Sequence, residues 1–320
     1  AQPGYADARS QLTWVLADLR PSLEPGVLGS IDSDRNRTTL WSLTGTAPAP
    51  WRGRLAAVAS HRLASFAGLE GTASALRGSA TWGDRAGLLS ARGELGAARL
   101  RAERPGAPLV SRSVTSAMVR GAVRPSARLA VGATLSRVPF DETATLIERG
   151  IVTSTAGVEA EWTLPARLAL SVAAEAARLT GGATTNRRRA ASAALRWNQS
   201  RRWSYALSAR GFGYDSTTRE GYFAPERYTL VEGSARLQLG RELGWSGGAE
   251  GGVGAQTIRL TAADPTSRAA QRARGWVTWR PVPGYEVLGA IGWANVASPG
   301  QVQGGDYSAT TFSVGGRIRL

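Results

Sequence analysis

The stretch "GYFAPERYTLVEGSARLQLG", residues 221–240, decides the fold, because its second half alternates with a period of two. A β-strand places successive side chains on opposite faces, so this half is predicted to be a strand with one apolar and one polar face. The apolar face holds Val231, Gly233, Ala235, Leu237 and Leu239, and the polar face holds Glu232, Ser234, Arg236 and Gln238. The fold therefore depends on whether the apolar face meets a protein core or a membrane.

Similar alternating runs of roughly ten to fourteen residues follow one another from residue 22 to the end of the chain. Two kinds of connection separate them in strict alternation. One kind is short and contains Pro or a compact polar turn, as at 82–85, 124–128, 164–167 and 280–284; the other is richer in Asp, Thr and Gly, as at 64–71, 104–112, 140–150 and 215–227. Short turns at one end and longer loops at the other predict an all-β fold, a transmembrane up-and-down antiparallel β-barrel of outer-membrane type, with about sixteen strands over residues 22–320.

The two faces of the predicted strands differ in the same way along the whole chain. The apolar face ends in aromatic residues beside the short turns, which is typical of an interfacial girdle: Trp162, Trp197, Trp203, Trp245, Trp279 and Tyr285. The opposite face carries charged residues, which are predicted to line the lumen: Arg92, Glu94, Arg120, Glu159, Glu161, Glu175, Arg196, Arg210, Glu232, Arg236, Glu250, Arg272, Arg274 and Glu286. The apolar face is thus predicted to meet lipid, and water to fill the interior.

The charge of the chain favours the same interpretation. All 39 basic residues are Arg, and the formal net charge is +15. A nucleic-acid binder would need its arginines on one exposed patch with interleaved aromatics, whereas here they alternate singly with apolar residues and share a face with Glu. "NRRRA" (186–190) is the one local cluster, beside a predicted external loop. We therefore predict no nucleic-acid partner.

Catalysis and metal binding find little support in the sequence. The chain has no Cys and a single His and Met, so we predict no metal and no cofactor. His61 is expected at the outer end of its strand, where barrel hydrolases place a catalytic His, but no nucleophile and carboxylate are seen to converge on it. Glu159 and Glu161 share a face and fit ion pairs with Arg better than a glycosidase pair. We predict that the protein is not an enzyme.

One element resembles a known family. "GYFAPERY" (221–228), followed at once by the alternating strand, is similar to the Gly-Tyr-Phe/Tyr-Ser-Pro-x-x-Tyr element in the C-terminal barrel of tetratricopeptide-repeat exopolysaccharide-export porins, such as the outer-membrane subunit of cellulose synthase. "DSDRN" (32–36) and "RVPFDETATLIERGI" (137–151) also look like features of those barrels. The resemblance covers roughly residues 20–320. It implies a sixteen-stranded barrel that passes a growing polysaccharide and is fed by periplasmic helical repeats, with residues 1–21 as a periplasmic linker, repeat remnant or plug.

These observations predict an outer-membrane channel, with both termini periplasmic, that passes a polysaccharide or small anionic solute through an Arg-lined aqueous lumen. The loop aromatics Tyr222, Phe223 and Tyr228 are expected either to stack on sugar rings at the exit or to pack against one another. Expected partners are outer-membrane lipid and lipopolysaccharide, the barrel-assembly machinery, which would read the closing strand 310–320, and a periplasmic polysaccharide-synthesis complex. A non-conducting structural or adhesive barrel and a specific small-molecule transporter remain alternatives.

Overall fold

The computed structural model describes residues 20–51, 53–84, 87–218, 220–240, 243–260, 264–296 and 307–320. Residues 1–19, which make up nearly all of the predicted periplasmic segment, lie outside the described residues. Sixteen strands and one short helix are defined: β1 Ser22–Asp32, β2 Arg37–Ala49, β3 Gly53–Phe66, β4 Leu69–Gly83, β5 Leu89–Glu103, β6 Val110–Ser126, β7 Leu129–Pro139, α1 Ala144–Arg149, β8 Val152–Leu164, β9 Leu168–Thr180, β10 Asn186–Trp197, β11 Trp203–Tyr214, β12 Arg227–Gly240, β13 Gly244–Arg259, β14 Thr266–Arg280, β15 Tyr285–Ala294 and β16 Ala309–Arg319.

The strands form one closed barrel. Each strand pairs with its neighbours in sequence, and β1 also pairs antiparallel with β16, from Ser22 opposite Arg319 to Asp32 opposite Ala309. Closure leaves no strand edge unpaired, so the backbone N–H and C=O groups of the sheet find their partners within it. The predicted fold class, an antiparallel barrel of sixteen strands, is confirmed. In the described part of the chain, no helix has the length and apolarity that crossing a membrane requires.

The connections divide the barrel into two ends. We call the end that carries the β2–β3, β4–β5 and other predicted short turns the turn end, and the opposite end, where β7–β8 and β11–β12 are joined, the loop end. The prediction of a loop over 64–71 was wrong. Only Ala67 and Gly68 connect β3 to β4, and their φ angles of 46° and 80° suit the tight turn of a two-residue hairpin. β6 also continues through part of the predicted turn at 124–128, with a register shift between Val123 and Ser126.

Alternate positions of each strand face opposite sides of the barrel wall. One set, the outer alternation, exposes large apolar side chains, such as Leu95, which is 72% exposed, and Val253, which is 67% exposed. The other set, the inner alternation, is the one against which α1 packs: Ile147 lies in one buried cluster with Ala73 and Leu100. The largest buried clusters lie at the loop end, where α1 and the connecting segments meet the wall.

Candidate functional site: the inner wall of the barrel

The strand register places all the residues predicted to line the lumen on the inner alternation. Several of them form ion pairs with one another: Arg92–Glu94 (2.9 Å), Arg120–Glu159, Arg272–Glu232 (2.8 Å) and Arg272–Glu250 (2.5 Å). Others pair with arginines that the sequence analysis did not single out: Glu94–Arg77 (3.6 Å), Glu175–Arg188 and Glu286–Arg280 (2.5 Å). Their shared face is a feature of the structure, and their role in a conducting lumen stays a prediction.

Two of these ion pairs join strands that are not neighbours. Glu232 on β12 reaches Arg272 on β14 across Gly252 of β13, which lies opposite Arg272 in the register. A Cβ atom at Gly252 would lie 2.7 Å from the Glu232 carboxylate. Because Gly252 has no side chain, the middle strand leaves open the space through which the buried Glu232 carboxylate reaches Arg272. Gly132 of β7 plays the same part between Arg120 on β6 and Glu159 on β8.

Four of the predicted arginines form no ion pair with any described residue: Arg196, Arg210, Arg236 and Arg274. The Arg210 guanidinium lies 5.9 Å from the centre of the Tyr228 ring, and that of Arg236 lies 4.6 Å from the centre of the Trp276 ring. Trp276 is an inner-face aromatic that the sequence analysis missed, although its even-numbered position on the alternation of Arg272 and Arg274 could have identified it.

A cavity of about 370 Å³ near the turn end is lined by two of these arginines, Arg196 and Arg236, together with three others. Its lining includes Arg196, Arg201, Arg202, Arg236 and Arg272, with Glu250 as its one carboxylate. Glu250 is already bonded to Arg272, so the remaining guanidinium groups are not neutralised by the wall. Because guanidinium binds carboxylate and phosphate through paired hydrogen bonds, this part of the wall is suited to attract anions.

The loop end of the barrel is covered from one side by the β7–β8 connection. This segment turns inward, and α1 within it packs on the inner face of β3, β4 and β5. Thr143 caps the helix by accepting a hydrogen bond from the Leu146 N–H (3.3 Å), and Gly150 ends it in the left-handed conformation with φ at 65°. Arg62 of β3 fixes the segment by an ion pair with Asp141 (3.6 Å).

The β11–β12 connection covers the loop end from the other side and meets the first segment in the middle. Leu146 packs in one buried cluster with Tyr214 and Tyr222, and the Thr143 hydroxyl donates to the Gly221 carbonyl (3.4 Å). Phe223 continues the apolar layer to Tyr228, Leu230, Ile258, Ala270 and Val296. β4 and β12 lie eight strands apart in a ring of sixteen, so the layer runs from one wall to the opposite one. We call residues 140–151 and 220–226 the cap.

Two carboxylates of the cap lie in unusual surroundings. Glu220 is 6% exposed and accepts a hydrogen bond from the Thr184 N–H (3.1 Å), which joins the cap to the β9–β10 connection. Glu142 keeps access to solvent, yet desolvation by the protein around it raises its pKa, an effect that Arg62 opposes and Asp141 reinforces. The cap therefore holds a carboxyl group whose charged form is disfavoured where it lies.

The loop aromatics do not form a platform for sugar rings, which was one of the two expectations. Tyr222 and Phe223 are buried, at 1% and 3% exposure, so in this structure they are not a platform on which sugar rings could stack. Tyr228 was wrongly assigned to a loop: it lies in β12, is fully buried, and packs against Phe212 with 4.7 Å between ring centres. These rings pack against one another because they form the apolar layer of the cap.

His61 lies on the outer alternation, opposite Trp41 and Ser74. Its Nδ1 atom is hydrogen-bonded to the Ser74 hydroxyl (2.9 Å), and among the described residues no carboxylate bonds to the ring. The geometry therefore lacks the third group that orients a catalytic His. Within the same described ranges, no group of three or more His, Cys, Asp or Glu residues could hold a metal ion.

The predicted girdle residues all lie on the outer alternation at the turn end, where they are 41% to 66% exposed. Trp245 and Trp279 stack with their ring centres 5.9 Å apart, and Tyr205 joins Trp197 and Trp203 at 5.9 and 6.3 Å. Two further exposed tryptophans lie at the same end, Trp51 in the β2–β3 turn and Trp82 on β4. Exposed aromatic side chains that cluster at one end of the outer face are typical of a membrane interface.

Solved structures of outer-membrane proteins share this fold. The chain is similar to a bacterial polysaccharide outer membrane secretin, with a TM-score of 0.70 and 13% identity over 94% of this chain and 99% of that one. It is also similar to CdiB from Acinetobacter baumannii, with a TM-score of 0.60 and 13% identity over 93% of this chain and 60% of that one. A third similar structure is the CymD monoaromatic hydrocarbon channel, with a TM-score of 0.52 and 10% identity over 96% of this chain and 91% of that one. At such identities the likeness shows the fold alone. No protein-family model and no curated protein matches the chain.

Proposed function

We propose that this protein is an outer-membrane channel that passes a polysaccharide or a small anionic solute. The observation that carries the proposal is the cavity of about 370 Å³ on the inner wall, in which five arginines face one carboxylate that is already paired. A wall of this kind raises the local concentration of anions through its potential. Its contacts are many and individually weak, which transport needs because tight binding would slow release.

Two further observations support a sugar polymer as the solute. Residues 221–228 resemble the loop element of exopolysaccharide-export porins, and a neighbour with full-length coverage is described as a polysaccharide outer membrane secretin. Acidic or phosphorylated polymers would match the arginines of the wall. In this proposal the barrel lies in the bacterial outer membrane with its termini in the periplasm, is inserted by the barrel-assembly machinery, and receives its polymer from a periplasmic synthesis complex.

The cap favours a second candidate function, a structural barrel that does not conduct. Its apolar layer joins opposite walls of the loop end. Leu146 and Tyr222 of the cap, and Tyr228 of β12 against which the layer packs, have almost no exposed surface. A channel with this cap must open it to pass a polymer, whereas a structural barrel would keep it closed. The two candidates therefore differ in whether a path exists when the cap is loosened.

Ion selectivity tests the channel proposal. The reversal potential of the purified protein in planar bilayers under a salt gradient is expected to indicate anion preference. Replacing Arg196, Arg236 and Arg274 together with Ser should reduce that preference, because these guanidinium groups have no ion pair to lose. Arg272 is left intact because its removal would strand the buried Glu232.

The control removes the same number of charges from the other side of the wall. Arg178, Arg187 and Arg189 lie on the outer alternation, so their replacement with Ser should leave the reversal potential unchanged. Equal selectivity in the wild type and the inner-wall variant would refute the role of these arginines. If neither the wild type nor a variant without the cap residues 141–150 conducts, the structural barrel replaces the channel.

A further inference from the structure

A row of arginines crosses the outer face of the barrel near the loop end. In the strand register, Arg137 of β7 lies opposite Ser154 of β8, Ser154 lies opposite Arg178 of β9, and Arg178 lies opposite Arg187 of β10. Arg189 lies two residues further along β10 on the same face. All four arginines are exposed. Strand pairing thus brings together charges from three strands, although Arg137 and Arg189 lie far apart in the sequence.

These four arginines have no ion pair with any described residue. Arg188 lies between two of them in the sequence but faces the inner side, where it pairs with Glu175. The neighbouring acidic residue on this edge is Asp215, whose N–H donates to the Arg187 carbonyl (3.0 Å), and the row keeps a net positive charge with Asp215 counted. The protein therefore offers several guanidinium groups to an anion from outside.

The height of the row can be worked from the strand geometry. Trp197 of the girdle and Arg187 are ten residues apart on β10. With a rise of ~3.4 Å per residue and a tilt of ~40°, Arg187 lies about 26 Å above the girdle, and Arg189, eight residues from Trp197, lies about 21 Å above it. The apolar band of such barrels is about 25 Å tall. The arginines therefore lie at the upper edge of the apolar band, where their long side chains can reach the headgroups of the leaflet at the loop end.

The surface below the row is apolar and indented. A groove of about 520 Å³ is lined by Leu135, Ala156 and Ala176 together with Arg178, Arg187 and Arg189. Leu135 and the two alanines lie on the outer alternation one step toward the turn end from Arg137 and Arg178, level with Arg189. An acyl chain could lie along them while the arginines reach upward past it, as long basic side chains do at membrane interfaces.

We propose that this groove binds a phosphorylated, acylated glycolipid of the outer leaflet, the lipid A part of lipopolysaccharide, through its phosphate groups. Guanidinium groups bind phosphate oxygens in pairs of hydrogen bonds, and several of them within one row suit a lipid with more than one phosphate. Basic clusters beside an apolar surface are how proteins recognise anionic lipid headgroups. The inference rests on the membrane location in the proposed function but not on conduction.

Native mass spectrometry of the detergent-solubilised barrel tests the site, with bis-phosphorylated lipid A as the probe. The wild type is expected to retain lipid A and to bind the same lipid without phosphates at least about tenfold more weakly, since charge-assisted hydrogen bonds are lost. The variant Arg178→Ser, Arg187→Ser, Arg189→Ser should show a similar loss. The Arg→Lys variant at the same positions should retain part of the affinity, because the charge remains but the paired geometry does not.

The inner-wall variant with Arg196, Arg236 and Arg274 replaced by Ser is the matched control, since it loses the same charge and should bind lipid A as the wild type does. Equal affinity of the wild type and the outer-face variant overturns the site, as does equal affinity for lipid A with and without phosphates. Binding that falls equally in both variants indicates a response to net charge and also overturns it. A change in ion selectivity without a change in lipid binding separates the two proposals.

Discussion

Leu146 holds the cap together, and its replacement with Ala should open the loop end. The side chain has no exposed surface and packs between the β9–β11 wall and Tyr222 of the other cap segment. A buried Leu→Ala change costs about 2–5 kcal/mol through lost contacts and the cavity it leaves. α1 has only six residues, too few to be stable by itself, so this loss falls directly on the docking of the segment.

The change in free energy converts to a population. Each 1.4 kcal/mol is about a factor of ten, so the ratio of closed to open cap should fall by a factor of roughly 30 or more. Hydrogen–deuterium exchange of the amides of residues 144–150 should accelerate by the same factor, because exchange follows local opening. In single-channel recordings, the open probability of the variant should exceed that of the wild type.

The control is Leu135→Ala, which removes the same atoms from the outer alternation, where Leu135 is 63% exposed. It should alter neither the exchange of α1 nor the conductance. Unchanged exchange in Leu146→Ala would refute the packing described for the cap. Faster exchange with no conductance would mean that an open cap uncovers no path, and the channel proposal would then fail.

Two further predictions concern the inner wall and the cap. Gly252→Ala should place a methyl group against the Glu232 carboxylate and weaken its ion pair with Arg272. The free energy of unfolding, measured in urea, should therefore fall by about 1–2 kcal/mol relative to the control variant Gly251→Ala. In that control the added Cβ atom meets only a backbone carbonyl at 3.9 Å. Glu142 has a pKa above its ordinary value of 4.5, so the folded cap binds the proton more tightly than the open one. Cap closure should therefore be strongest below that pH and weaken as pH rises through the folded pKa. Glu142→Gln should flatten the pH dependence of the α1 protection factor, which is the exchange rate corrected for the intrinsic, pH-dependent rate of a free amide.

Each of these two predictions can fail clearly. Equal stability of the two glycine variants would mean that Glu232 does not need the space above Gly252. A protection factor of α1 that is insensitive to pH in the wild type, or equally sensitive in Glu142→Gln, would show that another group governs closure.

The sequence by itself determined the barrel and the orientation of its faces. Alternation is local: Val231 and Glu232 must point to opposite sides of any strand that contains both, and this holds whatever the strand pairs with. The position of the aromatic girdle at one end of the barrel could be predicted for a similar reason. These aromatic residues lie beside short turns in the sequence, and a turn lies at the end of the strands that it joins. The predicted connections were wrong at two places: the glycine-containing surroundings of the tight turn at Ala67 and Gly68 suggested a longer loop, and β6 continues into the predicted turn at 124–128.

Only the tertiary structure decided which residues meet. Glu232 pairs with Arg272 across an intervening strand, and Leu146 contacts Tyr222, far along the chain, inside the barrel. Such contacts depend on the register between strands and on the path of the loops through space. The alternation of apolar and polar residues along one strand determines neither of these. The buried cap and the outer row from Arg137 to Arg187 are therefore features of the tertiary structure alone. They exist because strand pairing and closure of the barrel bring together segments that are distant in the sequence.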